Sequence, residues 1–365
     1  MKLPKTVIFL CRYQAPYAGS FILSLRALET ELKARGTRCV WVFPAGARDR
    51  GWSADLNDGA RAVVFLPPNK LRQFFALSRL VRRSGASLIH VHFGLFTLAS
   101  LVALFRPRLH VIEHVHSDFS AGQKHSFKRR LLRSLRKSLQ LGRVRRIMVG
   151  AHMLDGEKKA AYVPNGVDFS RMESSLVTRE AQRGALGLGD NEKFVLLFGW
   201  SPYIKGVDVA ARAIKRLQDE GFVLGIVTGR DMTAEKLKNW LSDQGCDIPN
   251  LRLLPPVENV FDYHKAADIM LSASRSETFS YALAEALYAR VPCVLSDIPG
   301  TRWAKDYETT LVFPVGDDAA CAEALKKAAA GFSPAAFEAA RQRAETDCSI
   351  ARWVDGVITV YSLAD

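Results

Sequence analysis

Two glutamates, Glu277 and Glu285, are separated by seven residues in a stretch that passes from a polar loop into an apolar, helix-forming segment. If both lay on one helix, the rise per residue would place them about 12 Å apart along its axis. The acid–base pair of a glycoside hydrolase is closer, at roughly 5 to 9.5 Å. The spacing therefore favours two carboxylates that bind separate hydroxyl groups of a long polyol ligand. The alternative is two solvated acids on the surface of a helix.

The residues in front of this helix are candidates for binding an anion. The helix is expected to begin near Thr278, with Ser276 or Thr278 as its N-cap. Three backbone amides would then present free N–H groups to a ligand: those of Phe279, Ser280 and Tyr281. Because such amides bind phosphate groups well, the pattern predicts a diphosphate site.

Six of the eight histidines lie between residues 90 and 125. His90 and His92, like His114 and His116, form a His-x-His pair at the end of an expected strand, so both rings of a pair project to one face. Four imidazoles on neighbouring strands could bind zinc, which is the basis of a rival hypothesis, a metal-dependent hydrolase. Because no carboxylate-rich element accompanies them, packed or hydrogen-bonded histidines are the simpler interpretation, and no metal site is expected.

The segment Lys124–Arg146 carries ten lysines or arginines and no acid, with leucines at helical spacing. It could form a surface for anionic lipid together with further basic residues: Lys70, Arg72, Arg79, Arg82 and Arg83. The plain alternative is a helix that packs its leucines and solvates its arginines. A nucleic-acid-binding protein is a third hypothesis, but no nucleic-acid motif accompanies the basic residues.

Length, composition and charge limit the class of protein. The chain has 365 residues, of which 48% are hydrophobic and 24% charged, and this excludes a disordered or collagen-like protein. The length predicts two domains. The net charge of +14 is unevenly divided, because residues 1–168 carry 29 basic and 10 acidic side chains whereas residues 169–365 carry 22 and 27. The two halves are therefore expected to meet different partners.

The cysteines and apolar runs favour a cytoplasmic protein. The six cysteines are scattered singly, as expected in a reducing compartment. The longest uncharged apolar run, Phe93–Phe105, is shorter than the roughly 20 residues that span a bilayer, so a buried helix is expected there.

Short β-branched runs alternate with longer amphipathic segments along the whole chain. The expected strands are 6–10, 38–43, 62–66, 87–92, 109–114, 145–149, 194–199, 222–228, 251–254, 268–272 and 292–296. A helix is expected over Ser20–Ala34, from its apolar spacing. This repeated β-α-β pattern predicts an α/β protein with two doubly wound parallel sheets. A polar, turn-rich stretch at 164–190 predicts the hinge, and ligands are expected at the carboxyl ends of the strands.

The stretch 274–300 resembles the Glu-x7-Glu signature of glycosyltransferase family 4, the retaining GT-B-fold enzymes that use nucleotide-sugars. Three further blocks are similar to family segments in the same order: 7–21, 162–168 and 198–208. The resemblance implies two Rossmann-like domains facing across a cleft. It places an acceptor domain at 1–170 and a nucleotide-sugar domain at 171–345, with a last helix at about 346–365 that packs back on the first domain.

The resemblance also implies roles for single residues. Glu285 would accept hydrogen bonds from the ribose hydroxyls, and Glu277 would bind hydroxyls of the donor sugar. Lys205 would meet the diphosphate and help the nucleotide leave. His116 would lie beside the transferred sugar, and Gly19 would let the backbone approach the phosphate or sugar. The family requires no cofactor, and no metal is expected.

Three positions depart from the family pattern. A commonly acidic position downstream of Pro299-Gly300 is occupied by Arg302 or Trp303. Trp200 stands where the family has an arginine that pairs with the lysine on the diphosphate, and Arg230 or Arg275 could supply the missing charge. Ser280 stands where the family often has glycine, which would restrict access to the amides.

The expected function is that of a retaining hexosyltransferase with a UDP-sugar donor, or failing that a GDP-sugar. The acceptor would be a glycan or lipid-linked molecule in the synthesis of cell-surface polysaccharide, such as lipopolysaccharide or capsule, or of glycolipid. The basic first half would meet an acidic acceptor, or the inner face of the membrane that displays it, and not nucleic acid. A nucleotide-sugar epimerase of the same fold is the alternative.

Overall fold

The computed structural model describes residues 3–15, 17–56, 61–116, 144–157, 159–229 and 232–363. The chain forms two compact units, one of residues 1–166 with 350–365 and the other of residues 167–349. The first part of the first unit ends at residue 166 and the second unit at residue 349, each four residues from the predicted domain bounds at 170 and 345. Of the basic segment predicted as a helix, residues 124–143 lie outside the described residues, and its last three residues belong to a strand. Arg230 also lies outside the described residues.

Within the described residues, the first unit has seven strands: β1 (Thr6–Cys11), β2 (Arg38–Pro44), β3 (Ala62–Leu66), β4 (Leu88–His92), β5 (His110–Val115), β6 (Val144–Met148) and β7 (Ala160–Tyr162). They pair in parallel in the order β3-β2-β1-β4-β5-β6-β7. The helices of this unit are α1 (Gly19–Ala34), α2 (Gly51–Leu56), α3 (Lys70–Ser84), α4 (Phe96–Leu104) and α13 (Ile350–Ser362).

Helices cover both faces of this sheet. Successive side chains of a strand point to opposite faces, and β1 shows the result. Phe9 packs in a layer with residues of α1 and α13, whereas Ile8 packs in a layer with residues of α3 and α4. Both faces of β1 are therefore buried, which explains its uninterrupted apolar sequence. The predicted buried helix at Phe93–Phe105 is α4.

The described part of the second unit has six strands: β8 (Lys193–Phe198), β9 (Phe222–Val227), β10 (Leu251–Leu254), β11 (Ile269–Ser272), β12 (Cys293–Ser296) and β13 (Thr310–Phe313). They pair in parallel in the order β10-β9-β8-β11-β12-β13. The helices are α5 (Ser170–Glu173), α6 (Arg179–Ala185), α7 (Val207–Arg216), α8 (Ala234–Asp243), α9 (Phe261–Ala266), α10 (Tyr281–Tyr288), α11 (Asp318–Ala329) and α12 (Pro334–Cys348).

Both sheets have the strand order of a Rossmann fold, in which the chain winds outward in one direction and then in the other. The direction changes between β1 and β4 in the first unit and between β8 and β11 in the second. Ligands bind at such switch points, outside the carboxyl ends of the strands. The two doubly wound parallel sheets confirm the predicted fold class.

All eleven predicted strands are present, and two strands in the described part of the chain, β7 and β13, were not predicted. The missed strand β7 is three residues long and lies at the edge of its sheet, and β13 also lies at an edge. Edge strands pair on one side only, and Val312 in β13 is 42% exposed, so the apolar signal is weaker there.

In the described parts of the chain, no helix is both long enough and apolar enough to cross a membrane. The six cysteines are buried free thiols.

Candidate functional site

Lys205 and Glu277 meet at the switch point of the second sheet. Lys205 lies in the loop between β8 and α7, and Glu277 lies in the loop between β11 and α10. Because β8 and β11 are neighbours, these two loops emerge side by side. The ammonium group of Lys205 donates to Oε1 of Glu277, and Ser274 Oγ donates to the same oxygen at 3.1 Å. Each side chain of the Lys205–Glu277 pair is 12% exposed.

Two glycines allow the loops at this site to pack closely. Gly206 has φ of +64°, and a Cβ added to it would lie 1.9 Å from the carbonyl oxygen of Ala273. A Cβ on Gly300 would lie 1.9 Å from the carbonyl oxygen of Glu277. Both distances are far below van der Waals contact, so these positions accept no side chain without movement of the backbone. The backbone around Glu277 is therefore held by a neighbouring loop.

The helix after Glu277 begins later than predicted. α10 starts at Tyr281 and its N-cap residue is Ser280, whose side chain makes no capping hydrogen bond. The predicted N-caps, Ser276 and Thr278, are wrong, and Glu277 lies in a loop. The estimate of 12 Å between the two glutamates, which assumed one helix, therefore does not apply. The free first-turn amides begin at Tyr281, so those of Phe279 and Ser280 precede the helix.

Aromatic contacts hold the loop in front of α10. Phe279 is buried, and its ring stacks on Trp303 with the centroids 5.2 Å apart. Tyr281 meets the same phenyl ring edge-on at 5.4 Å. The predicted contribution of Phe279 was its backbone amide, and the structure adds a packing role for its side chain.

Arg275, which was predicted as a possible diphosphate contact, is paired with Asp208. Its guanidinium donates to both carboxylate oxygens of Asp208, each at 2.8 Å, and to the carbonyl oxygen of Tyr203 at 2.7 Å. Burial alone would raise the pKa of Asp208, but hydrogen bonds from Arg275 and Arg212 lower it below its usual value. The charge of Arg275 is therefore neutralised by a carboxylate that stays ionised.

Trp200, which stands in place of the family arginine, contacts the site lysine. The Nζ atom of Lys205 lies 5.0 Å from the centre of the indole ring, within the range of a cation–π interaction. Trp200 is 56% exposed. Its backbone and Cβ pack closely against Gly229, since a Cβ added to Gly229 would lie 2.8 Å from the Cβ of Trp200. The ammonium of Lys205 is thus placed between a carboxylate and an aromatic ring.

Glu285 lies on α10, and its side chain is buried. Its Oε2 atom is 3.8 Å from Nε2 of His264, which lies on α9. Four further residues of this site were not predicted from the sequence: Asp208, His264, Ser274 and Gly300. Pro299 and Gly300 form a turn signal shortly after the predicted strand at 292–296, and this signal could have been used, whereas no sequence pattern distinguishes His264.

In the first unit, the four histidines form a compact cluster at the switch point. His90 and Tyr361 share a hydrogen bond of 2.7 Å, and His92 and His116 share one of 3.0 Å. His114 stacks on His116 with centroids 4.4 Å apart. Burial lowers the pKa values of His90 and His116 to about 3, so the rings are neutral near pH 7. A base this weak is poorly suited to accept a proton at neutral pH, so His116 is better suited to hydrogen bonding.

The orientation of these rings bears on the metal hypothesis. Ring nitrogens of His90, His92 and His114 lie within 4.8 Å of one another. The rings of His90 and His114 are nearly parallel, with an interplanar angle of 14° and centroids 5.4 Å apart. Nδ1 of His114 lies 3.3 Å from Nε2 of His90, so these two nitrogens are placed to share a hydrogen bond. The geometry favours the packed, hydrogen-bonded interpretation.

Gly19 is placed at the same edge of the first sheet. It has φ of +55° and is the first residue of α1, after the loop that follows β1. A Cβ there would be strained by the backbone conformation but would meet only Tyr13 Oη at 3.6 Å.

Two family models match the chain. Residues 192–330 match Glycosyl transferases group 1, and residues 24–171 match Glycosyltransferase Family 4. The D-inositol 3-phosphate glycosyltransferase of Xylanimonas cellulosilytica is 33% identical over 149 residues, which are 38% of this chain and 35% of that protein. The alpha-monoglucosyldiacylglycerol synthase of Streptococcus pneumoniae is 24% identical over 312 residues, which are 78% of this chain and 69% of that protein. The chain spans about a third to a half of the length of the first curated relatives it matches.

Solved structures share the architecture of the whole chain. Anabaena HepE, solved in complex with UDP-glucose, has a TM-score of 0.76 at 15% identity, covering 98% of this chain and 99% of that chain. At such identity the likeness concerns the fold alone. The two family models lie in the two units in the expected order and together cover most of the chain. The chain therefore has the GT-B fold and belongs to glycosyltransferase family 4.

Proposed function

We propose that this protein transfers a sugar from a nucleotide-sugar, with a UDP-sugar as donor, to a glycan or lipid-linked acceptor. The observation that carries the proposal is the contact between Lys205 and Glu277 at the switch point of the second sheet. It brings together a cation suited to a diphosphate and a carboxylate suited to sugar hydroxyls. The complex of HepE with UDP-glucose and the names of the curated relatives support a nucleotide-sugar donor and a sugar-transfer reaction.

In the proposed reaction the bond between the anomeric carbon and the diphosphate breaks as the acceptor oxygen attacks from the same face. The transferred sugar would keep its anomeric configuration, and the proton of the acceptor would pass to the leaving phosphate. Lys205 would stabilise the negative charge that develops on the diphosphate. Glu277 would hold the donor sugar and Glu285 the ribose. Because Lys205 supplies the positive charge, we expect transfer to proceed without a metal ion.

Substitution of Glu277 tests the site. Glu277→Gln keeps the shape of the side chain but removes the charge that faces Lys205, so we expect transfer to fall at least 100-fold with little change in Tm. The measurement is the initial rate of sugar transfer from the donor found by a thermal-shift screen of nucleotide-sugars. Glu308→Gln is the matched control, because Glu308 is exposed on the surface of the same unit. Equal rates in wild type and Glu277→Gln would contradict the proposal.

The same assay separates a transferase from an epimerase. A transferase releases UDP and forms a glycoside only when an acceptor is present, whereas an epimerase changes the sugar of the nucleotide-sugar without an acceptor. NMR of the product would also report the anomeric configuration. Inversion at the anomeric carbon would contradict the retaining reaction.

We further propose that the first unit approaches its acceptor at an anionic membrane. No acid occurs between Asp58 and Glu113. On this stretch, α3 and the end of α4 expose large apolar side chains, namely Leu71 at 66%, Phe75 at 59% and Phe105 at 67%. Phe74 connects the two helices, because its ring lies 5.5 Å from that of Phe75 and 6.1 Å from that of Phe105.

Exposed basic residues lie on α3 together with this apolar patch: Lys70, Arg72, Arg79, Arg82 and Arg83. Aromatic side chains amid cations suit the interface of an anionic bilayer.

Vesicle binding tests this surface. We expect the protein to bind vesicles that contain phosphatidylglycerol, to bind phosphatidylcholine vesicles weakly, and to be released as salt screens the charges. The double variant Phe75→Ser/Phe105→Ser should weaken binding at least tenfold, because each phenyl ring contributes about 1.5–3 kcal/mol when it leaves water. Leu176→Ser is the control, since Leu176 is 96% exposed in the second unit. Equal binding by the double variant and the control would rule this surface out.

A further inference from the structure

His264 is a buried histidine that has no role in the reaction proposed above. It lies on α9 and is 0% exposed. Neither ring nitrogen has a hydrogen-bond partner among the residues that the structure describes. A buried polar group without a partner lowers stability, and an unpaired group in a folded protein calls for an explanation.

The ring of His264 faces a carboxylate that is itself buried. Nε2 of His264 lies 3.8 Å from Oε2 of Glu285, whose side chain is 7% exposed. This separation is too long for a hydrogen bond, which needs about 2.7–3.2 Å, but a small side-chain rotation would close it. The other ring neighbours of His264 are aromatic, with Phe198 at 5.8 Å and Phe261 at 6.0 Å between centroids.

These surroundings restrict what His264 can do. The aromatic rings around His264 offer the imidazole little polar interaction, so the carboxylate of Glu285 is the group to which Nε2–H can donate a hydrogen bond. A hydrogen bond to an ionised carboxylate is stronger than one between neutral groups, and a low-dielectric pocket strengthens it further. If His264 binds Oε2, the other oxygen, Oε1, remains for a ligand hydroxyl, and the carboxylate is held in one orientation.

We propose that His264 is a positioning residue for Glu285: its Nε2–H binds Oε2 and orients the carboxylate toward the hydroxyls of the bound nucleotide. The inference rests on the proposed function, because it takes the role of Glu285 as a ribose-binding group. It adds a residue that does not touch the ligand and that acts on nucleotide affinity through Glu285.

Nucleotide binding to the full chain, measured by calorimetry with UDP as the probe, tests the inference. His264→Phe fills the aromatic pocket but has no donor, and it should raise the Kd of UDP about tenfold, equivalent to about 1.4 kcal/mol at 25 °C. The amide nitrogen of Gln can take the place of Nε2, so His264→Gln should bind UDP nearly as well as the wild type. His264→Asn places its amide where Nδ1 lies, away from Glu285, and should be as weak as His264→Phe.

A double variant shows whether His264 acts through Glu285. Glu285→Gln should weaken UDP binding by itself, and His264→Phe should weaken it no further when Glu285→Gln is present. Tyr263→Phe is the matched control on the same helix, because its hydroxyl donates to the carbonyl oxygen of Pro255 at 2.9 Å. Its Kd should equal that of the wild type.

The outcomes separate the two proposals. If Glu285→Gln leaves the Kd unchanged, or if the wild-type chain binds neither UDP nor GDP, the assigned nucleotide site is wrong and this inference falls with it. If Glu285→Gln weakens binding but His264→Phe does not, only the role of His264 is wrong. The proposed role of His264 would also be wrong if His264→Gln and His264→Asn had equal Kd values, or if the effects of His264→Phe and Glu285→Gln were additive in the double variant. A histidine with a purely structural role predicts both of these results.

Discussion

At the scale of single residues, the surroundings of Lys205 bear on the proposal that this lysine binds the diphosphate. Lys205 is held between the carboxylate of Glu277 and the indole of Trp200. Both contacts are favourable for an ammonium group, and both leave it free to use its remaining donors. Arg275, by contrast, is committed to Asp208. Among these residues, Lys205 is therefore the cation suited to the diphosphate.

Removal of this cation should affect the reaction more than the fold. We expect Lys205→Ala to lower the transfer rate about 100-fold or more, because the charge on the leaving diphosphate loses its partner. Lys205→Arg should recover part of the rate, since it keeps the charge but changes the geometry. Lys193→Ala is the control, as Lys193 contacts Phe222 and the carbonyl oxygen of Glu220. A similar loss of rate in the control would show that the effect is not specific to the site.

At the scale of elements, loops rather than helices hold the site together. The loop between β8 and α7 meets the loop between β11 and α10 through Gly206, and the loop after β12 reaches Glu277 through Gly300. The ion pair of Arg275 with Asp208 ties the second of these loops to the first turn of α7. Contacts of this kind fix the backbone around Glu277 before any ligand binds.

A side chain at Gly300 should disturb this arrangement. The Cβ of Gly300→Ala would lie 1.9 Å from the carbonyl oxygen of Glu277, so the loops must separate. We expect a loss of about 3 kcal/mol in the free energy of unfolding and a Tm lower by roughly 10 °C. Thermal unfolding followed by circular dichroism would measure it. Gly184→Ala is the control, because its Cβ would meet no atom within 4 Å, and a Tm equal to that of Gly300→Ala would refute the steric argument.

At the scale of the whole molecule, charge and burial distinguish the two units. The sequence of the first unit contains more of the basic residues than that of the second, and a cluster of neutral histidines is buried in the first unit. Burial lowers the pKa of His90 to about 3, and the pKa values of His92 and His114 are lowered in the same way. In the unfolded chain these groups would titrate near 6.5.

We therefore expect the stability of the first unit to be sensitive to acid. In the unfolded state, His90 takes up a proton as the pH falls below about 6.5, whereas in the folded state it does so only near pH 3. The free energy of unfolding is therefore at its full value above pH 6.5 and decreases as the pH falls from 6.5 toward 3. At pH 5.5 the loss should be about 1.4 kcal/mol for His90 alone. His90→Asn, which can still bind Tyr361, should reduce the difference in unfolding free energy between pH 7.5 and 5.5 by that amount, measured with urea.

The control for the acid sensitivity is a residue outside the cluster that does not titrate. Thr30 is exposed and its hydroxyl donates to the carbonyl oxygen of Arg26, so Thr30→Ala should leave the difference between the two pH values unchanged. An unchanged difference in His90→Asn would show that the cluster is not the origin of the sensitivity.

The sequence predicted the strands well and the start of α10 badly, and the contrast has a physical cause. A strand such as β1 is apolar along its whole length because both its faces are buried, and that pattern is visible in one dimension. Ser276 and Thr278 have good N-cap propensity, but local preference is weak beside tertiary contacts. Glu277, which lies between them, is held in the loop by Lys205 and by the close approach of Gly300.

The sequence by itself was enough for the α/β class, the two sheets and the family, because periodicity and motif spacing are properties of the linear chain. Only the tertiary structure decided what each charged or polar group faces. Arg275 meets Asp208, and His264 meets Glu285, across separations of 67 and 21 positions along the chain. Such pairs come together only when strands and helices pack, and no local pattern records which side chains will then share a pocket.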